Sequence, residues 1–233
     1  MKLWTFALFA LLLAGCTLQV ANPDQRETIS SSATVSLDVA PDLAEIYIAV
    51  ETNASTAQEA QQKNAQIMEA VVAAIKAQGV DSVSTEGYNV YQQTDYYVMP
   101  EKNREPNKYY QATNRVKVQV KDFDKVGPVV DAAVAAGANR VDSISFQLTD
   151  DKKLESKRDA ITKAGAEAKA KAQALADSVG ANLGKLVSVN ENSYDTYPRQ
   201  YMTVAAFEKA ADTPIEAGRV AVSATVNVQY EIK

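Results

Sequence analysis

Residues 220–232, VAVSATVNVQYEI, alternate more cleanly than any other stretch of this chain. Val220, Val222, Ala224, Val226, Val228, Tyr230 and Ile232 fall on one side of an extended backbone. Arg219, Ser223, Thr225, Asn227 and Glu231 fall on the other. Successive side chains of a strand point to opposite faces, so this pattern predicts an antiparallel-type strand with one wet face. A sheet with one apolar face needs a cover, and the sequence supplies candidates.

Three segments read as helices. The first runs from an N-cap at Ser55 or Thr56 to about Gln78, stopped by Gly79, with Ala60, Ile67, Val71, Ala74 and Ile75 as its apolar stripe. The second runs from Lys125 to Ala136, capped by Asp122 or Asp124 and ended by Gly137. The third and longest, about Lys152 to Val179, is capped by Asp150 or Asp151 and stopped by Gly180. Ala160, Ala164, Ala168, Ala172 and Ala176 recur in it at a spacing of four, which lets a helix lie close to its neighbour. Leu154, Ile161, Leu175 and Val179 are expected to supply its larger contacts.

The remaining apolar runs read as strands: Ala33 to Val39, Leu43 to Thr52, Val83 to Gln92, Tyr110 to Lys121, Val141 to Leu148 and Gly184 to Asn190. Pro41-Asp42 reads as a turn, so the first two strands are expected to form a hairpin. The order β-β-α-β-β-α-β-α-β-β indicates an α+β fold, mainly antiparallel sheet with three helices packed on one face. It is read as one domain over 32–233 or as two interleaved sub-domains, with 110–190 the candidate for the second.

The N-terminus carries an address. Lys2 precedes an apolar run from Leu3 to Leu13, interrupted only by Thr5, and Leu13-Ala14-Gly15-Cys16 follows. The run is too short for a stable transmembrane helix, which needs roughly 20 apolar residues. Small residues before a cysteine fit cleavage of a signal peptide over 1–15 and lipid transfer to the Cys16 sulfur. Residues 16–31 then read as a polar tether. Thr17, rather than aspartate, after the cysteine points to the outer membrane in a Gram-negative cell. In other cells the anchor would hold the chain at the outer face of the cytoplasmic membrane.

Composition excludes much. The chain has one cysteine, no histidine and a formal net charge of −5. Without histidine, Ser-His-Asp and Cys-His catalysis are ruled out, as are imidazole ligands for a transition metal. With Cys16 lipidated, no thiol remains for a disulfide. The acidic balance argues against nucleic acid. No cofactor, metal or catalytic set is assigned.

Two sets of carboxylates are candidate sites. Asp150, Asp151 and Glu155 could hold a hard cation, but they match an acidic helix N-terminus better. Glu45, Glu51 and Glu86 lie on separate strands or strand ends and form no evident acid–base pair. The lysines at 152, 153, 157, 163, 169 and 171 interleave with Glu155, Asp159 and Glu167, as on a solvated helix face. Two long segments, Gln93 to Lys108 and Asn192 to Gly218, read as loops rich in tyrosine. Tyr96, Tyr97, Tyr109 and Tyr110 in or beside the first are the candidate interaction residues, because tyrosine joins a flat apolar body to a polar tip.

The order of these pieces resembles the SIMPL-domain family of bacterial and archaeal envelope proteins. The resemblance rests on Pro41-Asp42 before an apolar strand, Thr56-Ala57 through Asn64 opening a helix, and Gly79-Val80 closing it before Thr85. It continues through Tyr109 to Val120, Gly137-Ala138 before Ile144-Ser145-Phe146, the alanine-rich helix ending near Leu183-Gly184, and Gly218 before the last strand. It spans about residues 33 to 232 and departs from the family at Ala33 to Ser36, where a glycine is usual. The resemblance implies an α+β domain able to form rings or larger oligomers in some members, with links to envelope or oxidative-stress tolerance. It carries over no catalytic residue. The expectation is a lipid-anchored, non-enzymatic envelope protein acting by homo-oligomeric assembly or binding. A hydrolase using Glu51 or Asp150 as general base, or a small-ligand carrier, stands as the alternative.

Overall fold

The computed structural model describes residues 27–95, 107–193, 197–199 and 217–233. Its strands are β1 (Thr28–Val39), β2 (Leu43–Ala54), β3 (Ser82–Asp95), β4 (Asn107–Val120), β5 (Arg140–Gln147), β6 (Leu183–Ser193), β7 (Tyr197–Arg199) and β8 (Arg219–Ile232). Its helices are α1 (Ala57–Ala77), α2 (Val126–Ala135) and α3 (Asp150–Ser178), with a 3₁₀ turn over Phe123–Lys125. The strands form two antiparallel sheets. One has the order β1-β8-β6, with β7 also paired to β8; the other has the order β3-β4-β2-β5. Each has helices on one face only, so the molecule is α+β.

The expected hairpin between β1 and β2 does not form. β1 pairs with β8, Ala33 opposite Val226 and Val39 opposite Val220, while β2 pairs with β4 and β5. Pro41-Asp42 carries the chain from one sheet to the other instead of turning it back. The Asp42 carboxylate accepts from the Thr149 amide at 2.7 Å and from the Thr149 hydroxyl at 2.8 Å, and the Asp42 amide donates to the Gln147 carbonyl at 3.1 Å. The two chain passages between the sheets are thereby pinned side by side. Thr149, not Asp150 or Asp151, is the N-cap of α3, and the two aspartates sit in its first turn. The stretch 110–190 contributes β4 and β5 to one sheet and β6 to the other. Residues 28–31, expected in the tether, are already strand.

The larger core lies under the β2 sheet. Ile46, Ile48, Val50, Val116 and Val118 pack against Met68, Val71 and Ile75 of α1 and Val126, Val129 and Ala133 of α2. Cutting one of these isoleucines to alanine would cost about 2–5 kcal/mol. The second core is built on the alanine row. Ala160, Ala164, Ala168, Ala172 and Ala176 are fully buried, and Ala164 and Ala168 pack on Ala33, Val226 and Val228. The approach is close enough for the Ser31 hydroxyl to donate to the Ala168 carbonyl at 2.6 Å. Leu154, Leu175 and Val179, expected to add bulk here, are instead 49%, 41% and 69% exposed. Ser156 and the five alanines form the buried line, and these larger side chains flank it; of the four expected to add bulk, Ile161 joins the cluster.

Candidate functional site

The uncovered face of the β2 sheet collects the strand carboxylates Glu45, Glu51 and Glu86. Strand alternation turns Glu45, Tyr47 and Glu51 away from the core. Register then sets Glu45 opposite Gln119, Tyr47 opposite Lys117 and Ala49 opposite Arg115. At one end, Glu45 accepts from Gln119 at 3.0 Å, from Gln147 at 3.2 Å and from the Tyr47 hydroxyl at 3.5 Å. Lys117 lies between Glu86 at 3.2 Å and Glu45 at 3.9 Å.

At the other end, Glu51 pairs with Arg140 at 3.0 Å and accepts from the Gln111 amide. Tyr91 donates to Gln111 in turn. Arg140 also reaches Asp142 at 2.9 Å, and Asp142 meets Arg115 at 2.6 Å. Asn139 sets this end: its side chain accepts from the Glu51 amide at 2.8 Å and donates to the Glu51 carbonyl at 2.7 Å. It extends the sheet ladder by one side chain and so fixes where Arg140 begins.

The protonation states follow from these contacts. Lys117 is held above its ordinary value by its bond to Glu86, then by the charge of Glu45. Arg140 is raised by its bond to Glu51, then by Asp142. Tyr47 is raised by partial burial, then by Glu45. Lys117 therefore stays an ammonium and Tyr47 a neutral phenol at neutral pH. General acid–base catalysis needs the opposite, a group shifted toward the working pH. The geometry makes a lattice of ion pairs.

The other predicted residues lie elsewhere. Asp150 and Asp151 are exposed on the first turn of α3, the helix that packs on β1 and β8 rather than on the sheet that carries Glu51. Glu155 lines a groove of about 520 Å³ between the end of β1 and α3, with Asp38, Asp159, Lys152 and Lys163. Asp159 is paired to Lys163 at 2.9 Å, and among the described residues no three acidic or thiol groups converge on a metal position. Of the other α3 lysines, Lys157 meets Glu191 at 3.5 Å and Lys171 donates to the Ser32 carbonyl at 3.2 Å.

Cys16, Tyr96 and Tyr97 lie outside the described residues. Tyr109 and Tyr110 are half-buried on β4, because the β3–β4 ladder continues to Asp95 opposite Asn107 where a loop was expected. By register, Tyr91 and Tyr109 share the charged face, while Tyr88 and Tyr110 share the helix side. Tyr88 and Tyr91 are 44% and 45% exposed on β3, an edge strand. What sequence reasoning missed is the cross-strand pairing of Arg115, Lys117, Arg140 and Asp142. Their outward positions are readable, but their partners depend on register.

A family model described as SIMPL, a protein of unknown function, matches residues 29–230. The chain is 31% identical over 207 residues to the 26 kDa periplasmic immunogenic protein of Brucella melitensis, covering 84% of this chain and 81% of that protein. The corresponding protein of Brucella abortus is 30% identical over 205 residues, again covering 84% and 81%. The uncharacterized protein YggE of Escherichia coli is 26% identical over 219 residues, covering 93% of this chain and 86% of its own length. With a family model matched across both sheets and all three helices, the chain belongs to the SIMPL family.

Proposed function

We propose that this protein is a lipid-anchored cell-envelope protein that turns over no substrate and works by non-covalent self-assembly or binding. The observation carrying the non-enzymatic reading is the charged face of the β2 sheet, where Glu45, Glu51, Lys117, Arg140 and Asp142 are spent on bonds to one another and to Gln111 and Gln119. The envelope location is supported by the periplasmic relatives in Brucella and by the Leu13-Ala14-Gly15-Cys16 motif. Self-assembly is supported by β3, an edge strand with free backbone groups and two exposed tyrosines. A lipid that confines the chain to a surface raises its effective concentration and favours weak contacts. On this reading the protein serves envelope integrity, including tolerance of oxidative stress, as a physical component.

Two measurements test it. Cys16→Ser should move the protein from the membrane fraction to the soluble one; equal membrane partitioning would remove the lipid from the account. Sedimentation of the wild type should give a mass above the monomer, lowered by Tyr88→Ser with Tyr91→Ser while circular dichroism stays unchanged. A monomer at high micromolar concentration would overturn assembly.

A further inference from the structure

The uncovered face of the β8 sheet differs chemically from every other exposed surface described. Register sets Ser30, Gln229 and Ser188 in one row across β1, β8 and β6, and Ser32, Asn227 and Asn190 in the next. The rows continue with Thr34, Thr225 and Asn192. These three rows carry no charged side chain, although Glu231 stands on the same face one row beyond them, opposite Thr28; the β2 sheet's open face is an ion-pair lattice and α3 is studded with lysine and glutamate. A solvated sheet face ordinarily mixes both signs of charge for solubility.

The first two rows line an open trough of about 390 Å³. Gln229 is held in place, donating to Thr28 at 2.9 Å and accepting from Ser188 at 3.3 Å. Asn190, Asn227 and the Ser30 hydroxyl make no hydrogen bond within the described protein. Each primary amide presents a donor and an acceptor in one plane, and each hydroxyl offers both. Neighbouring strands are about 4.8 Å apart, so these groups form a close grid.

We propose that this trough binds a neutral carbohydrate. Vicinal hydroxyls and acetamido groups pair with amides and hydroxyls of this kind. No lysine or arginine lines the trough for a phosphate or carboxylate, and Val228 is its one apolar lining residue, too little for a lipid tail. A second copy of the chain fits less well, because interface cores are built from aromatic residues, methionine and arginine. The inference is independent of self-assembly through β3.

The test is calorimetric titration of the full-length protein with chitotetraose, cellotetraose and maltotetraose. At least one should bind saturably. Asn190→Ala with Asn227→Ala should weaken that binding by about tenfold or more, while Glu45→Gln leaves it unchanged. The double variant replaces partly or fully exposed side chains, and an unchanged circular dichroism spectrum would confirm that it folds. No saturable binding to any of the three sugars at millimolar concentration would overturn the proposal. So would binding indifferent to the double variant. Conversion of an oligomer to a monomer by Asn227→Lys, without sugar binding in the wild type, would assign the face to a second copy and equally overturn it.

Discussion

Asn64 is the most informative single residue in the core. It is fully buried on α1, and its amide donates to the Val50 carbonyl at 2.8 Å and the Ala112 carbonyl at 3.0 Å, on adjacent strands. Its own Oδ1 has no partner. The side chain thus acts as a donor only, bolting the helix to two strands at once. Removing it should leave both carbonyls with their ladder bonds alone, so Asn64→Ala is expected to cost about 1–3 kcal/mol. Asn64→Asp should cost more, because an ionised carboxylate donates nothing and faces two carbonyl oxygens. Urea midpoints would check this; two variants within about 0.5 kcal/mol of wild type would show that the bonds carry no weight. The apolar stripe of α1 was legible, but the polar member in it was not. The buried line runs Ala60, Asn64, Met68, Val71, Ile75, and an asparagine there breaks the pattern by which stripes are recognised. An asparagine four residues after one buried position and four before another was the available signal.

At the level of elements, local patterns were readable and partners were not. The alternation of β8 and the alanine row of α3 depend only on neighbours in sequence, and both stand in the fold as expected. The β1–β2 hairpin failed because Pro41-Asp42 is locally indistinguishable from a turn. The strand that β1 actually joins has residues 201 positions away, as the Gln229–Thr28 bond shows. Likewise Thr149, Asp150 and Asp151 can each cap a helix, and the tertiary bond to Asp42 selects the first. The charged face of the β2 sheet follows the same rule and yields a pH prediction. Lys117 and Tyr47 both have folded-state pKa values above their ordinary 10.5 and 10.0. A proton held more tightly in the folded than the unfolded protein stabilises the fold at pH below the unfolded value. That stabilisation is lost as pH rises through the folded value. With no histidine in the chain, melting temperature should be flat from about pH 6 to 9 and fall above about pH 10. Lys117→Gln should remove part of that alkaline fall. A stability transition near pH 7, or an alkaline limb identical in the variant, would count against it.

The whole molecule is one unit inserted into another. Every member of the core under the β2 sheet lies between Ala44 and Phe146, including the partly buried Ile144 and Phe146. The cores beneath the β8 sheet draw only on Val39 and earlier residues and on Leu148 and later ones. The chain leaves β1, builds the complete β2 sheet with α1 and α2, and returns at Thr149 to build α3 and β8. The Asp42–Thr149 bonds close the two passages against each other. This arrangement makes the units unequal in folding. The inserted one, roughly 100 residues and of ordinary domain size, has no strand pairing wider than that between Leu43 and Gln147. The outer one must close its β1–β8 ladder across the whole insertion, which is slow. Residues 43–147 expressed alone should therefore fold, with cooperative urea unfolding and circular dichroism of mixed helix and sheet. A full chain lacking residues 28–42 should keep the β2 sheet protected from hydrogen exchange while amides of β8 exchange freely. If the 43–147 fragment were unfolded, the two cores would depend on each other despite sharing no residue, and the seam where Asp42 bonds Thr149 and β5 meets β8 would have to carry that coupling.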